Sequence, residues 1–198
     1  VDFNENGIEE FIEISTRKFN NKPLFCKADI TNEKEVNLAN KNIIDNYGKI
    51  DALINNAALN PHFQSQSENF SRLENFEISN WENEIAVGLT GAFLCSKHFG
   101  KEIAKNINGG TIINISSDLG IISPDQRLYF DENLNEFEQP VKPVTYSVIK
   151  SGLIGMSKYF STYFDGKIRS NALCPGGVEN GQDEEFLKRL KNLIPSRR

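Results

Sequence analysis

Apolar and polar positions follow two alternating rhythms along the chain. Short apolar runs at 23–29, 50–55, 111–116 and 167–173 read as strands, and longer stretches with apolar residues three and four apart read as helices. Val36, Ala39, Ile43, Ile44 and Tyr47 share one helical face, with Asn32 and Glu35 marking its start and Gly48 its end. Trp81, Ile85, Leu89, Ala92 and Phe99 predict a long helix from about Ser79 to Lys105, broken by Gly109-Gly110. Further helices are predicted over Val144 to Tyr163 and Gln182 to Leu193. Buried-type strands alternating with helices predict a three-layer α/β fold, a parallel sheet with helices on both faces. Open sheets of this kind bind ligands beyond the C-terminal ends of their strands. Asp29, Asn55-Asn56, Ser116-Ser117 and Pro175-Gly176 all stand at such ends.

Composition narrows the possible roles. The 198 residues carry 22 Lys+Arg against 27 Asp+Glu, a formal net charge of -5, with the basic residues scattered. That balance speaks against a nucleic-acid surface. One domain over 1–198 is the expected organisation, without repeats or linkers. No apolar run is long enough for a membrane-spanning helix, and Val1-Asp-Phe-Asn-Glu has neither the basic nor the apolar part of a signal peptide. Cys26, Cys95 and Cys174 lie far apart in unlike contexts, so no metal site or disulfide framework is expected, and a reducing cytoplasmic setting is the simplest reading.

Tyr146-Ser-Val-Ile-Lys150 places a phenol and an ammonium on one helical face, about 6 Å apart along the axis. A phenol with a pKa near 10 is a poor base at neutral pH, and a neighbouring cation favours its ionised form. The spacing alone is weak evidence. Tyr163 and Lys167 repeat it, but Asp165-Gly166 ends the helix between them. Singly, each remaining candidate also has a plain structural reading: Asp29 as a cap, Asn55-Asn56-Ala57-Ala58 as an Asn-rich turn, Ser116-Ser117 as a loop start. Their joint order at one sheet edge carries the argument.

That order resembles the short-chain dehydrogenase/reductase family over nearly the whole chain, which implies a Rossmann-type doubly wound sheet. Asn55-Asn-Ala-Ala58 is similar to the family's Asn-Asn-Ala-Gly segment, which braces the sheet beneath the cofactor. The resemblance makes Ser117 the catalytic serine, Tyr146 the general acid/base and Lys150 its partner. It places Pro175-Gly176-Gly177-Val178 beside the nicotinamide, Asp29 and Ile30 at the adenine, and Asn56, Ala57 and Ala58 along the cofactor, with Tyr146 and Lys150 also touching it. The implied cofactor is NAD or NADP, the partner a small-molecule substrate, and the assembly a homo-oligomer built on the two long helices. More narrowly, Ile122-Ser-Pro-Asp-Gln-Arg127, Val141-Lys-Pro-Val-Thr-Tyr-Ser-Val-Ile-Lys150 and Ala172-Leu-Cys-Pro-Gly-Gly-Val178 resemble the bacterial flagellin-modification protein A group, associated with nonulosonic-acid-type sugars for surface glycans. The expected activity is hydride transfer on a sugar-derived carbonyl or alcohol. A non-catalytic binder of the same fold, or a sugar epimerase or dehydratase with recycled NAD, are the rivals.

Three departures stand out. The Gly-rich turn that holds a pyrophosphate is missing from the sequence, which reads as a fragment lacking the first strand–helix unit, with Asp2 near the position of the ribose-recognising acid. The family's helix asparagine falls at Gly88, which has no side chain to hold a water. Asn180 stands nearest the family's threonine after Pro-Gly. In addition, Ser123 to Pro143 reads as an inserted loop, either a surface excursion or a substrate lid. Within it Arg127 is either a grip for a substrate phosphate or carboxylate or one half of a surface ion pair. Asn60 and His62 are further candidates for the substrate wall, and His98 is expected to be structural.

Overall fold

The computed structural model describes residues 1–59 and 71–195. Three parallel strands lie side by side, β1 (Ala52–Asn55), β2 (Gly110–Ile115) and β3 (Ile168–Leu173). Six α-helices are described: α1 (Ile8–Phe19), α2 (Glu33–Tyr47), α3 (Ile78–Ile85), α4 (Ala92–Ile103), α5 (Val144–Tyr163) and α6 (Glu184–Leu193). The connection from β1 to β2 contains α3 and α4, and that from β2 to β3 contains α5, the crossover that parallel pairing requires.

Local chemistry sets these boundaries. Asn32 caps α2 by accepting from the Lys34 N–H, and its amide donates to Glu35 at 2.8 Å. Gly48, at φ 75°, ends the same helix by donating its N–H to Ile44 O. Pro143 precedes α5, where a missing N–H costs nothing. On the sheet, Ile112 and Ile168 are buried against Ile103 of α4, while Leu53 joins a second cluster with Cys26, Val36, Ala39, Leu94 and Phe99. Each large side chain buried this way contributes about 1.5–3 kcal/mol.

Two expectations need correction, and two further features were not read from the sequence. The 23–29 run is not a strand in a ladder; its one described pairing is the parallel bridge between Asp2 and Lys27, with Asp2 N–H donating to Cys26 O at 3.2 Å and Ala28 N–H to Asp2 O at 3.0 Å. A strand needs neighbours, and here the neighbour is a single residue. The long helix is not uniform: α3 and α4 are joined through a wider π-type turn at Ala86–Gly91. The helices that pack on the sheet, α4 and α5, leave alternate sheet positions bare, with Ile54 60% and Leu173 56% exposed. Finally, α1 was not legible as a helix, and its Phe11 and Ile14 are exposed.

The 123–143 segment is fastened at several points. Arg72 donates to Glu136 O at 3.2 Å and Gln139 O at 3.5 Å. From α6, Arg189 donates to Leu128 O at 3.3 Å and Phe130 O at 2.5 Å, and the rings of Tyr129 and Phe186 meet at 5.6 Å. These contacts hold the short turn Gln126–Tyr129 against α6.

Candidate active site

The end of β2 is stapled to α5 at Lys150. Ser116 Oγ donates to Lys150 O at 2.6 Å, and Lys150 Nζ returns a bond to Ile115 O at 2.9 Å. Gly120 lies so close to this turn of α5 that a Cβ would stand 2.8 Å from the Lys150 carbonyl carbon. Backbone there cannot yield, so only glycine fits. Asp118 N–H donates to Pro175 O at 3.0 Å and Ser116 N–H to Leu173 O at 2.8 Å, tying the same turn to the segment after β3. Ser117, Lys150 and Pro175-Gly176 are thus brought together at one sheet edge.

Tyr146 lies one helical turn before Lys150, half-buried. Lys150 Nζ is 5.6 Å from its ring centroid, and a second ammonium, Lys142 Nζ, is 3.7 Å from it. Burial, then the charge of Lys150, hold Lys142 below the ordinary lysine range; burial does the same to Lys150. Ser117 is buried and donates to Asp118 Oδ1 at 2.8 Å, while its oxygen accepts the Leu119 N–H at 3.2 Å. Tyr129 reaches in from the 123–143 segment. Burial pushes its phenol up to about 12, with smaller contributions from Tyr146 and Asp118. Lys142 and Tyr129 were not found by sequence reasoning. Lys142 precedes the helix, so no periodicity points to it, and Tyr129 sits in a segment without a repeat.

Beneath the site runs a buried polar chain. Asn55 Nδ2 donates to Asn114 Oδ1 at 2.7 Å and to Ser96 Oγ at 3.0 Å, and Asn114 Nδ2 donates to Ser157 Oγ at 2.8 Å. Asn114 and Ser96 are fully buried. The chain ties β1, β2, α4 and α5 together directly under the loop that starts at Asn56.

Other candidates separate. Asn56, Ala57 and Ala58 form an exposed loop after β1, and Ile30 and Asp2 share with Asn55–Ala57 the wall of a groove of about 360 Å³. Asp29 Oδ1 accepts from both Thr31 N–H and Thr31 Oγ1, a local turn next to Ile30. Pro175 and Gly176 stay beside Asp118, and Val178 is 70% exposed. Of the two roles left open for Arg127, the surface ion pair is present: its Nε and Nη2 both bond Asp125, at 2.9 and 2.6 Å, and its side chain is 86% exposed. His98 pairs with Glu33 on the surface of α4 at 2.9 Å. Asn60 and His62 lie outside the described residues. Among the described residues no cluster could hold a metal ion, and no helix is long and apolar enough to cross a membrane.

The family model for short chain dehydrogenases matches residues 1–129. An uncharacterized oxidoreductase of Thermotoga maritima is 26% identical over 208 residues, spanning all of this chain and 72% of its own. The post-translational flagellin modification protein A of Campylobacter coli is 26% identical over 200 residues, with 100% of this chain and 73% of the relative covered. The solved structure of ElxO with NADP bound superposes at TM-score 0.76 with 20% identity, covering 98% of this chain and 71% of that one. The chain belongs to the short-chain dehydrogenase family, with its Rossmann α/β fold. Membership makes it an oxidoreductase of the NAD- or NADP-dependent kind.

The groove fits such a cofactor in part. Asp2, Ile30, Asn56 and Ala57 line it together with the apolar Ile43, Leu53, Cys95 and Phe99, and Pro175 and Gly176 lie beside Asp118. The described residues offer no Gly-rich helix start to cradle a pyrophosphate.

Proposed function

We propose that the protein moves hydride between a nicotinamide dinucleotide and the carbonyl or alcohol carbon of a small polar, sugar-derived substrate. The observation that supports this reading is the mutual staple of Ser116 and Lys150, which joins the end of β2, next to Ser117, to the helix that carries Tyr146 and Lys150. The nicotinamide supplies or takes the hydride when bound. Tyr146 Oη gives a proton to the carbonyl oxygen in reduction and takes it from the hydroxyl in oxidation. Ser117 Oγ exchanges its bond to Asp118 for one to the substrate oxygen and so orients it. Lys150 and Lys142 stabilise negative charge on the phenol from two directions. Asp29, Ile30, Asn56, Ala57, Ala58, Pro175, Gly176 and Val178, with Tyr146 and Lys150, would hold the cofactor, and Asp2 would stand near its ribose. The relative with NADP bound and an acid at Asp2 support NADP and NAD respectively, and both stay within the proposal.

The sugar-derived substrate and a role in surface-glycan or flagellin modification are supported by the likeness to the Campylobacter protein. We place the reaction in the cytoplasm. The bare face of the sheet and the groove shared by Asp2 and β1 support a further strand–helix unit, which would also bring the phosphate cradle. Exposed Phe93, Tyr159 and Tyr163 on α4 and α5 support a homo-oligomer. The 123–143 segment, bound to α6, forms one wall over the substrate.

A second reading, a cofactor binder without turnover, is favoured by one observation: Ile149 fills the place beside Gly88, where a Cβ would lie 2.7 Å from Ile149 Cγ2. A panel of sugar alcohols, uronic acids and nucleotide sugars, assayed with NAD(H) and NADP(H) by nicotinamide absorbance on a chain extended by a family-type first strand and helix, separates the two. Turnover supports the oxidoreductase. Cofactor binding without turnover across the panel supports the binder.

A further inference from the structure

Most cations around the site already have acceptors. Lys150 Nζ donates to Ile115 O, and Arg127 holds Asp125. Arg189 holds the carbonyls of Leu128 and Phe130, and Arg72 those of Glu136 and Gln139. Lys142 differs. Its Nζ lies 3.7 Å from the centroid of the Tyr146 ring, and among the described residues no hydrogen bond or ion pair takes its three donors. Glu84, the acid whose charge it feels, has Oε2 bound by the Thr145 hydroxyl and no hydrogen bond to Lys142. A half-buried ammonium without an acceptor forfeits bonds it made to water, so an anion that arrives there is favoured.

The stem of this ammonium is anchored. Lys142 N–H donates to Gln126 Oε1 at 2.8 Å, and Val141 N–H to the buried Ser71 Oγ at 3.1 Å. Pro143 follows, with its φ fixed by the ring. Lys142 also borders a cleft of about 400 Å³ with Ser71, Arg72, Glu74, Gln126 and Ser147, a volume usual for small-molecule sites. Arg72 and Glu74 pair with each other at 3.5 Å, so Lys142 gives the cleft its net positive charge.

We propose that Lys142 determines substrate specificity by binding an anionic group of the substrate, a carboxylate or a phosphate on the sugar. The proposal rests on the oxidoreductase reading above and narrows its substrate class to sugar acids and sugar phosphates. An ammonium against the face of the Tyr146 ring is within a sugar's length of any oxygen held by Tyr146 Oη, so one small ligand reaches both. A bond charged on both sides outweighs one to a hydroxyl at the same place. Arg127, the other cation of the 123–143 segment, is exposed and already holds Asp125.

The test titrates the 198-residue protein, its lysines labelled with ¹³C at the ε carbon, with glucuronate, glucose-1-phosphate and glucose at constant ionic strength. Calorimetry gives the affinities, and the Lys142 signal, assigned with Lys142→Arg, reports where the ligand sits. At least one anionic sugar should bind about tenfold or more tighter than glucose and shift the Lys142 signal to saturation; which one does so separates carboxylate from phosphate. Lys142→Arg should keep the preference, and Lys142→Met should reduce it to about twofold or less. Glucose binding as tightly as both anions, an unmoved Lys142 signal, a preference that survives in Lys142→Met, or no saturable binding of any of the three overturns the proposal. The turnover panel judges the underlying reading separately. Turnover without an anion preference removes the Lys142 subsite alone. An anion preference that Lys142→Met abolishes, with no turnover across the panel, removes the oxidoreductase and leaves the binding site.

Discussion

Lys142 Nζ stands 3.7 Å from the centroid of the Tyr146 ring, closer than the 5.6 Å of Lys150, the partner expected from helical spacing. A partly desolvated ammonium over an aromatic ring is worth about 0.5–2 kcal/mol, and it also stabilises charge on the phenol oxygen. Lys142→Met in an active, extended enzyme should therefore lower kcat/KM about 3- to 30-fold with cofactor affinity kept. Burial, then the charge of Lys150, hold Lys142 below the ordinary lysine range, so its charge is lost at a lower pH than that of a free lysine. The wild-type rate should fall on this alkaline limb, and Lys142→Met should flatten it. A pH profile of kcat/KM for both proteins is the check.

Gly120→Ala should displace the turn that carries Ser117, since its Cβ would meet the Lys150 carbonyl carbon at 2.8 Å. Turnover should drop at least about tenfold, against a stability loss of about 1–3 kcal/mol from overpacking. Steady-state kinetics alongside urea unfolding measures both.

Asn55→Ala would leave the buried Asn114 Oδ1 without its donor, an orphaned acceptor that costs about 1–3 kcal/mol. The expected result is a lower urea midpoint with an unchanged slope. Asn46→Ala, which removes exposed amide bonds within α2, should change the midpoint far less.

Arg127→Ala should leave KM and kcat within about twofold, as loss of an exposed ion pair does little. Arg189→Ala removes two bonds to the carbonyls of Leu128 and Phe130 and should raise KM by loosening the wall next to Tyr129. Parallel kinetics on the two variants decide between these residues.

Burial pushes the Cys95 thiol up to about 11, so at pH 8 it stays protonated as well as shielded. Iodoacetamide under native conditions should modify the half-buried Cys174 first and leave Cys95 intact until the protein unfolds. Peptide mass mapping over time shows the order.

The sequence carried the elements whose signals are local. Asn32, Glu35 and Gly48 bracket α2, and the apolar spacing from Val144 to Tyr163 matches α5. Tyr146 and Lys150 were legible because the helix itself sets their distance. What needed coordinates was set by contacts between distant parts of the chain. Lys142 reaches the phenol by folding back across Pro143. Glu84 meets Thr145 only because α3 and α5 are neighbours, and Asn114 finds its partners on β1 and α5. The 23–29 run buries Cys26 and Ala28 as a strand would, yet its ladder depends on what lies beside it. For Arg127 the sequence left two roles open, and Asp125, two residues away, binds its guanidinium.

Tyr146→Phe in the extended enzyme, compared with wild type for cofactor binding by fluorescence and for turnover by nicotinamide absorbance, bears most directly on the proton-transferring phenol. The expected result is near-normal binding of NADH or NADPH with turnover reduced by about two to four orders of magnitude. Turnover equal to wild type would remove Tyr146 from the chemistry and the proposed mechanism with it.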